Sequence, residues 1–560
     1  MFSIQVRLRN WKAVQIVLRW LRYNLWRRTG ITNVSYELPA LEQIIKRSAP
    51  EDLVAQSGGK RILMFTYRLW NIHVIWDVLL GQALRMRGAD VRFFTCGGPL
   101  PICDISAHTL APPPTMRCDS CAPYITKVLS LLGFPFHVHR EFISPAEKAE
   151  IRSLVSALSS DEYERFELDG IPIGQLVLPS VQWYLLSGSL PPDPAAQAVY
   201  RRFLISGAIM SRVSGRLLDN IQPEIVYLLN GIFFAERIMI EHAQRRGIPF
   251  ITHEAGFSEG AQVFVRNDFA PYYPTDKAWL TYAQRPLSPS ESERLDTYLD
   301  KRICGKSDVN TYYPSIETDA EAIIGQLGLD RSKLIVSLYT NVGWDTSCFA
   351  PGGVFSGMDE WIAHTIRHFA ARNDAQLIIR VHPAEVRLEF HEPRETAIDI
   401  IQRLFPQLPS HIHIISPESS ISSYTLMDIS QLNLVYTSTT GMEAVLRGRP
   451  LIVAGQSYYS GKGFTREIGS VAEYDRLLGQ ASSLEPPTAE QIEFARRYAC
   501  MFFFRLHLPF PLASSEFKPV HKVHLNFQTM AALRPGRNQY IDLLCDAILY
   551  DRPFLYTGAL

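Results

Sequence analysis

Along most of the chain, short apolar runs alternate with longer stretches of helical period. After a polar stretch ending Ser57-Gly58-Gly59-Lys60, the run Arg61 to Phe65 predicts a buried strand, and a helical pattern follows to Arg87 with a stop at Gly88. Asp90 to Thr95 predicts the next strand and completes a β-α-β unit, so a parallel, Rossmann-like sheet begins here. A mainly helical region comes next, opened by a capping box of Ser144 and Glu147 with Pro145 between, and broken by Pro179 and by Pro191-Pro192-Asp193-Pro194. The strand–helix rhythm then resumes: strand Glu224 to Leu229, helix Phe233 to Arg246 closed by Gly247, and strand Pro249 to Thr252 ending in His253-Glu254-Ala255-Gly256. A second capping box, Ser288 with Glu291, starts a helix that leads into a polar connector at Lys306 to Ser315.

Beyond the connector a second α/β series is clearer. Strands are predicted at Lys333 to Tyr339, Gln376 to Val381, His411 to Ser416, Asn433 to Tyr436 and Pro450 to Ala454, with helices at Met358 to Ala371 and Gly441 to Arg447. Helical material returns at Arg537 to Tyr550. The expected organisation is an N-terminal helix and linker over 1–59, a Rossmann-like domain over 60–310 with a helical insertion at 141–220, a second over 316–515, and a helical segment over 516–560 packing back. The fold class is therefore α/β: two doubly wound domains facing each other across a cleft, with ligands at the carboxyl ends of their strands.

Composition narrows the function classes. The 560 residues are 47% hydrophobic, enough to close sizeable cores without disulfides. Lys plus Arg and Asp plus Glu both number 56, so there is no global basic field for nucleic acid. The first 30 residues depart from this balance, with Arg7, Arg9, Lys12, Arg19, Arg22, Arg27 and Arg28 against no acidic residue. Trp11, Val14, Val17, Leu18, Leu21 and Leu25 recur there at helical spacing, with Lys12, Gln15, Arg19 and Arg22 opposite and Trp20 and Trp26 near the apolar side. Such a helix suits either an anionic membrane surface or a dock on its own protein. It does not read as a secretory signal, because arginines and Gln15 interrupt it. The longest purely apolar and aromatic run, Tyr498 to Phe504, is far shorter than the roughly 20 residues a membrane span needs.

Eight cysteines do not make a disulfide scaffold in a chain this long, and the expected compartment is the reducing cytoplasm. Four of them cluster as Cys96, Cys103, Cys118 and Cys121, the last two as Cys-Asp-Ser-Cys. That knuckle could supply thiolates to a structural zinc, with Cys96, Cys103 or His108 completing a tetrahedron; the competing reading is reduced cysteines in a Pro-rich loop.

Three strand ends of the second domain carry polar groups that should converge. Asn341 follows the first, in Thr340-Asn341-Val342-Gly343; His382 stands at the tip of the second, where Pro383 stops the strand. The third, Thr437-Ser438-Thr439-Thr440-Gly441-Met442-Glu443, runs into a helix, where hydroxyls and open N–H groups suit a phosphate and Gly441 lets the backbone come close. Glu443 is an anion and better suited to sugar hydroxyls. Lys462, in a Gly-rich loop, is a further phosphate candidate. There is no Gly-x-x-x-x-Gly-Lys-Ser/Thr loop, no Gly-x-Gly-x-x-Gly and no metal-holding Asp-x-Asp pair, which leaves a metal-independent donor site needing no cofactor.

Arg380-Val381-His382-Pro383-Ala384-Glu385, Thr437 to Ala444, Arg449 to Gly455 and Tyr459-Ser460-Gly461-Lys462-Gly463-Phe464-Thr465 together resemble the capsular polysaccharide biosynthesis family. Its members look like GT-B glycosyltransferases, bacterial Kdo transferases among them. Relatives with similar His-Pro and Ser/Thr motifs include sialyltransferases using CMP-sialic acid and teichoic-acid glycerophosphotransferases. The resemblance spans residues 225 to 470 and is strongest from 376 to 465. It implies that His382, Ser438, Thr439 and Thr440 hold the phosphate of a CMP- or UDP-linked sugar donor, that Glu443 faces its ribose, and that the acceptor is a surface glycan or glycolipid.

Transfer also needs a base for the acceptor hydroxyl, expected from the first domain. The candidates are His73 and Asp77, just after the first strand, and His253 and Glu254; Glu254, oriented by His253, leads, and His73 follows. The expected protein is a cytoplasmic glycosyltransferase, brought to the inner face of the membrane where the N-terminal helix takes the membrane-surface reading. Rival readings on the same scaffold are a nucleotide-sugar epimerase, a glycerophosphotransferase and a noncatalytic glycan-binding component of an export assembly.

Overall fold

A computed structural model describes residues 17–18, 20–29, 37–53, 58–105, 118–191, 193–258, 260–304, 315–345, 352–387, 393–516 and 522–560. The chain divides into two compact units. The first gathers the residues up to Leu185, Leu190–Ala270 and Leu508–Tyr556; the second gathers Leu186–Ser189, Pro271–His507 and Thr557–Leu560.

The sheet of the first unit contains β1 (Arg61–Phe65), β2 (Asp90–Thr95), β3 (Phe136–Val138), β4 (Ile225–Leu229), β5 (Phe250–Ala255), β6 (Ala261–Arg266) and β12 (Leu508–Pro509). Their order is β12-β6-β5-β4-β1-β2-β3, with β3 to β5 parallel and β6 and β12 antiparallel at one edge. β1 and β4 are almost wholly apolar because helices cover both faces of a parallel sheet. The largest cover is the helix Pro194–Ile221, started by the Asp193 carboxylate on the N–H groups of Ala195 and Ala196 and stopped at Gln222, whose backbone is left-handed.

The second unit holds β7 (Leu334–Tyr339), β8 (Ala375–Arg380), β9 (Ile412–Ile415), β10 (Leu432–Val435) and β11 (Leu451–Val453) in the order β11-β10-β7-β8-β9, all parallel. Trp361 and Ile366 on the helix Met358–Ala370 bury one face of this sheet, and the Trp361 indole N–H donates to Tyr474 Oη at 2.8 Å. Both sheets share one topology. The chain starts in the middle, runs outward on one side, and returns to continue on the other, so the switch points lie between β1 and β4 and between β7 and β10.

Three expectations are corrected. Pro179 does not break a helix; it lies inside Ile173–Leu185, where burial of Leu176, Val177 and Val181 holds the helix across the missing donor. His253 and Glu254 do not form a loose strand end, because β5 runs on to Ala255 and pairs with β6, setting Glu254 opposite Val263. The chain passes to the second unit at Pro271 rather than near residue 310. The reason is packing: the helices Asp276–Tyr282 and Pro289–Ile303 lie against Ala489–Met501 of the second unit.

Candidate functional site

In the second unit, β7, β8 and β10 end level, since register pairs Tyr339 with both Arg380 and Val435. The loops that leave them are then laced together by side chains. Thr340 Oγ1 accepts from the His382 N–H at 3.0 Å, and Asn341 Oδ1 accepts from the Thr437 N–H at 3.3 Å. The second bond crosses the switch point itself. Of the three strand ends that the sequence pointed to, all three are thus brought together on adjacent strands.

His382 is neutral. Burial, helped by the nearby Arg380 guanidinium, pushes its pKa down to about 4. Its Nδ1 accepts from the Ala384 N–H at 3.1 Å, so the proton stands on Nε2. Ser438 Oγ donates to Thr440 Oγ1 at 3.0 Å and accepts the Thr440 N–H at 3.3 Å, while Thr439 Oγ1 accepts from Tyr458 Oη at 2.8 Å. These hydroxyls are half-buried at the start of the helix Thr440–Leu446.

Other expected members have different work. Gly441 is required by Tyr459: a Cβ there would sit 2.2 Å from Tyr459 Oη and 2.8 Å from Val435 Cγ2. Tyr459 in turn donates to the Ser438 carbonyl at 2.5 Å, which fixes the loop. Glu443 is the buried partner of Arg302, whose Nε donates to Oε1 at 2.7 Å. Lys462 is buried as well, paired with Asp276 and donating to the Ser460 carbonyl at 3.2 Å. The charges of Arg302 and Lys462 are therefore each met by a carboxylate.

In the first unit the three proposed catalytic side chains fall near the switch point, but on two sides of the sheet. Successive residues of a strand point to opposite faces, so His253 cannot orient Glu254. His253 turns inward and is fully buried, with Nε2 3.2 Å from Asp77 Oδ1 and Nδ1 3.2 Å from Gln262 Oε1. Its ring stacks on Tyr227 at 4.8 Å and lies 5.4 Å from that of His73. Thr66 Oγ1 donates to the other Asp77 oxygen at 2.7 Å. Glu254, half-buried, is oriented instead by Asn230, whose Nδ2 donates to Oε2 at 2.9 Å. Asn230 Oδ1 accepts the Ile232 N–H at 2.9 Å, which fixes the amide the right way round for that bond.

Asn230 was missed in the sequence, although it directly follows the apolar strand β4 and precedes Gly231. Also missed was a buried ion cluster after β1: Arg68 bonds both oxygens of Glu236 at 2.9 Å and lies 3.2 Å from Asp104. Burial, opposed by Arg68, still pushes Glu236 up to about 8. Cys96, Cys103, Cys118 and Cys121 are all free thiols raised by burial, Cys121 to about 12. Among the described residues no group of three or more His, Cys, Asp or Glu is placed to hold a metal ion, and His108 lies outside them. No helix among them is long and apolar enough to cross a membrane.

Residues 316–477 match the family model described as capsule polysaccharide biosynthesis protein. No curated protein matches the chain. Among solved structures it is similar to Thermosulfurimonas dismutans KpsC, a β-Kdo 2,4 transferase, at 14% identity over 55% of this chain and 86% of that one, with a TM-score of 0.32. A second T. dismutans KpsC structure, a β-Kdo 2,7 transferase, is similar at 14% identity over 56% and 85%, with a TM-score of 0.31. The UDP-GlcNAc 2-epimerase of Neisseria meningitidis bound to UDP-GlcNAc is similar at 13% identity over 78% and 98%, with a TM-score of 0.23. Likenesses at these scores bear on neither substrate nor reaction.

Two outcomes follow from this geometry. Gly441→Ala should destabilise the protein by about 1–3 kcal/mol, and less in a Tyr459→Phe background, where the Val435 Cγ2 contact remains, read as a double-mutant cycle by urea unfolding. Because the folded pKa of His382, about 4, lies below its unfolded value near 6.5, the unfolded chain takes up the proton first on acidification. This contribution to stability is therefore intact above pH 6.5 and lost as pH falls toward 4. His382→Gln should flatten the dependence of stability on pH in that window by one proton and leave it unchanged above.

Proposed function

We propose that the chain is a glycosyltransferase of capsule-type polysaccharide synthesis, moving a sugar from a nucleotide-sugar donor to a surface glycan or its lipid-linked precursor by metal-independent displacement. The observation that carries this reading is the laced cluster at the ends of β7, β8 and β10, within the segment that matches the capsule polysaccharide biosynthesis family. It joins the neutral N–H donor of His382 to the hydroxyls of Ser438, Thr439 and Thr440 at a topological switch point.

That set suits a leaving nucleotide phosphate. Charge that develops on the phosphate oxygens as the sugar–oxygen bond breaks would meet the His382 ring and the hydroxyls of Thr439 and Thr440 as donors, while the Ser438 O–H, given to Thr440, holds the loop. Arg302 and Lys462 are already paired with Glu443 and Asp276, so the reading draws on directed N–H and O–H groups rather than on these two cations. We assign the acceptor's proton to Glu254, because Asn230 and the Ala255 N–H hold its two carboxylate oxygens in a defined orientation while the side chain remains half-buried rather than sealed. His253, enclosed by Tyr227, Phe264 and Asp77, is a positioning residue at most. The seven described cysteines are free thiols, which supports a reducing, cytoplasmic setting.

The test is donor turnover with and without a glycan acceptor. Nucleotide release that requires the acceptor, persists in EDTA, and falls about 10²- to 10⁴-fold in Glu254→Gln with donor affinity retained supports the reading. Turnover without an acceptor points to an epimerase instead, and an undiminished Glu254→Gln removes that residue from the chemistry.

A further inference from the structure

The N-terminal helical residues have a docked side and an open side. Residues 17, 18 and 20–29 are helical. Tyr23 is buried, and its hydroxyl donates to the Gly97 carbonyl at 3.2 Å; a Cβ on Gly98 would lie 1.9 Å from the same hydroxyl, so the fit is close. Arg22 reaches Asp119 through Nε at 2.9 Å and Nη2 at 2.8 Å. The helix is thus fixed to the first unit along the Tyr23 side.

The opposite side is left uncovered. Val17, Leu18, Leu21 and Leu25, at helical spacing, are 55%, 43%, 49% and 51% exposed, with Trp20 beside them at 63%. These are five of the ten large apolar side chains that the described residues expose. Single exposed apolar residues are ordinary, whereas a concentration of this kind marks an interaction face. Charge says which kind: the first 30 residues carry seven Lys and Arg and no acidic residue. A second copy of the chain would bring two such clusters together, and their repulsion opposes that arrangement.

We propose that this face lies on an anionic lipid bilayer, the apolar stripe entering the boundary between headgroups and acyl chains and the basic side chains other than Arg22 drawn to the headgroups. An amphipathic helix of this make-up lies in the interface plane, with Trp at the level its half-polar ring prefers. Because Tyr23 and Arg22 tie the helix to the first unit, the bilayer would hold that unit at the membrane surface. The proposal does not rest on the sugar-transfer reading.

Flotation of the full chain with vesicles tests it. With vesicles of phosphatidylcholine and phosphatidylglycerol the protein should float, and with phosphatidylcholine alone it should not, the bound fraction falling as salt is raised. Leu21→Glu/Leu25→Glu should lower partitioning about tenfold or more. Both positions are exposed, so the fold should tolerate the change, and Leu280→Glu, at an exposed leucine elsewhere, should float as the parent does. Failure of the parent chain to float, undiminished flotation of the double variant, or dimers that the double variant abolishes in the absence of flotation would each overturn the proposal.

Discussion

Where a parallel strand leaves its sheet, its last peptide groups lose the ladder and must find other partners. In the second unit that requirement is met by two side chains, Thr340 and Asn341, which accept the N–H groups of His382 and Thr437 from the strands on either side. Everything else at this site depends on those two bonds. They hold three loops at one level, and so fix where His382 and the hydroxyls of Ser438 to Thr440 stand before any ligand arrives. Tyr459 completes the frame from below by holding the Ser438 carbonyl, at the cost of admitting only glycine at position 441.

The electrostatics follow from the same enclosure. Burial keeps His382 neutral, so under the proposed function it would meet an anion by a directed hydrogen bond and not as a point charge. Arg302 and Lys462, which would otherwise supply positive charge, are bound to Glu443 and Asp276. The first unit separates its groups by the pleat of β5: the imidazole of His253 faces a sealed interior with Asp77, and the carboxylate of Glu254 faces Asn230 on the other side. Alternation along one strand thus places two neighbouring ionisable residues in unlike surroundings.

Most of the sheet-forming segments were legible in the sequence, because buried parallel strands read as short apolar runs between helices of clear period. Arg61 to Phe65, Asp90 to Thr95 and the five strands of the second series lie within a residue or two of where that pattern puts them. The convergence of the three strand-end loops was legible too, since a strand-end rule points to Asn341, His382 and Ser438 without reference to packing. What the sequence could not show depends on distant contacts. Nothing local in Glu443 reveals Arg302, nothing in Lys462 reveals Asp276, and nothing in Gly441 reveals Tyr459. The short strand Phe136–Val138 and the passage of 271–303 into the second unit were equally hidden, being decided by what those segments pack against.

The central claim is that the laced strand ends of the second unit hold a nucleotide phosphate. Its most direct test is the thermal stability of the parent chain and of His382→Ala with CMP, CDP, UDP, GDP and ADP. A nucleotide present at 100 times its dissociation constant stabilises the folded state by about 2.7 kcal/mol, a readily measured shift. The account predicts that at least one of these nucleotides raises the melting temperature of the parent and that His382→Ala loses the effect. Stabilisation by none of them, or equal stabilisation of the variant, would contradict it.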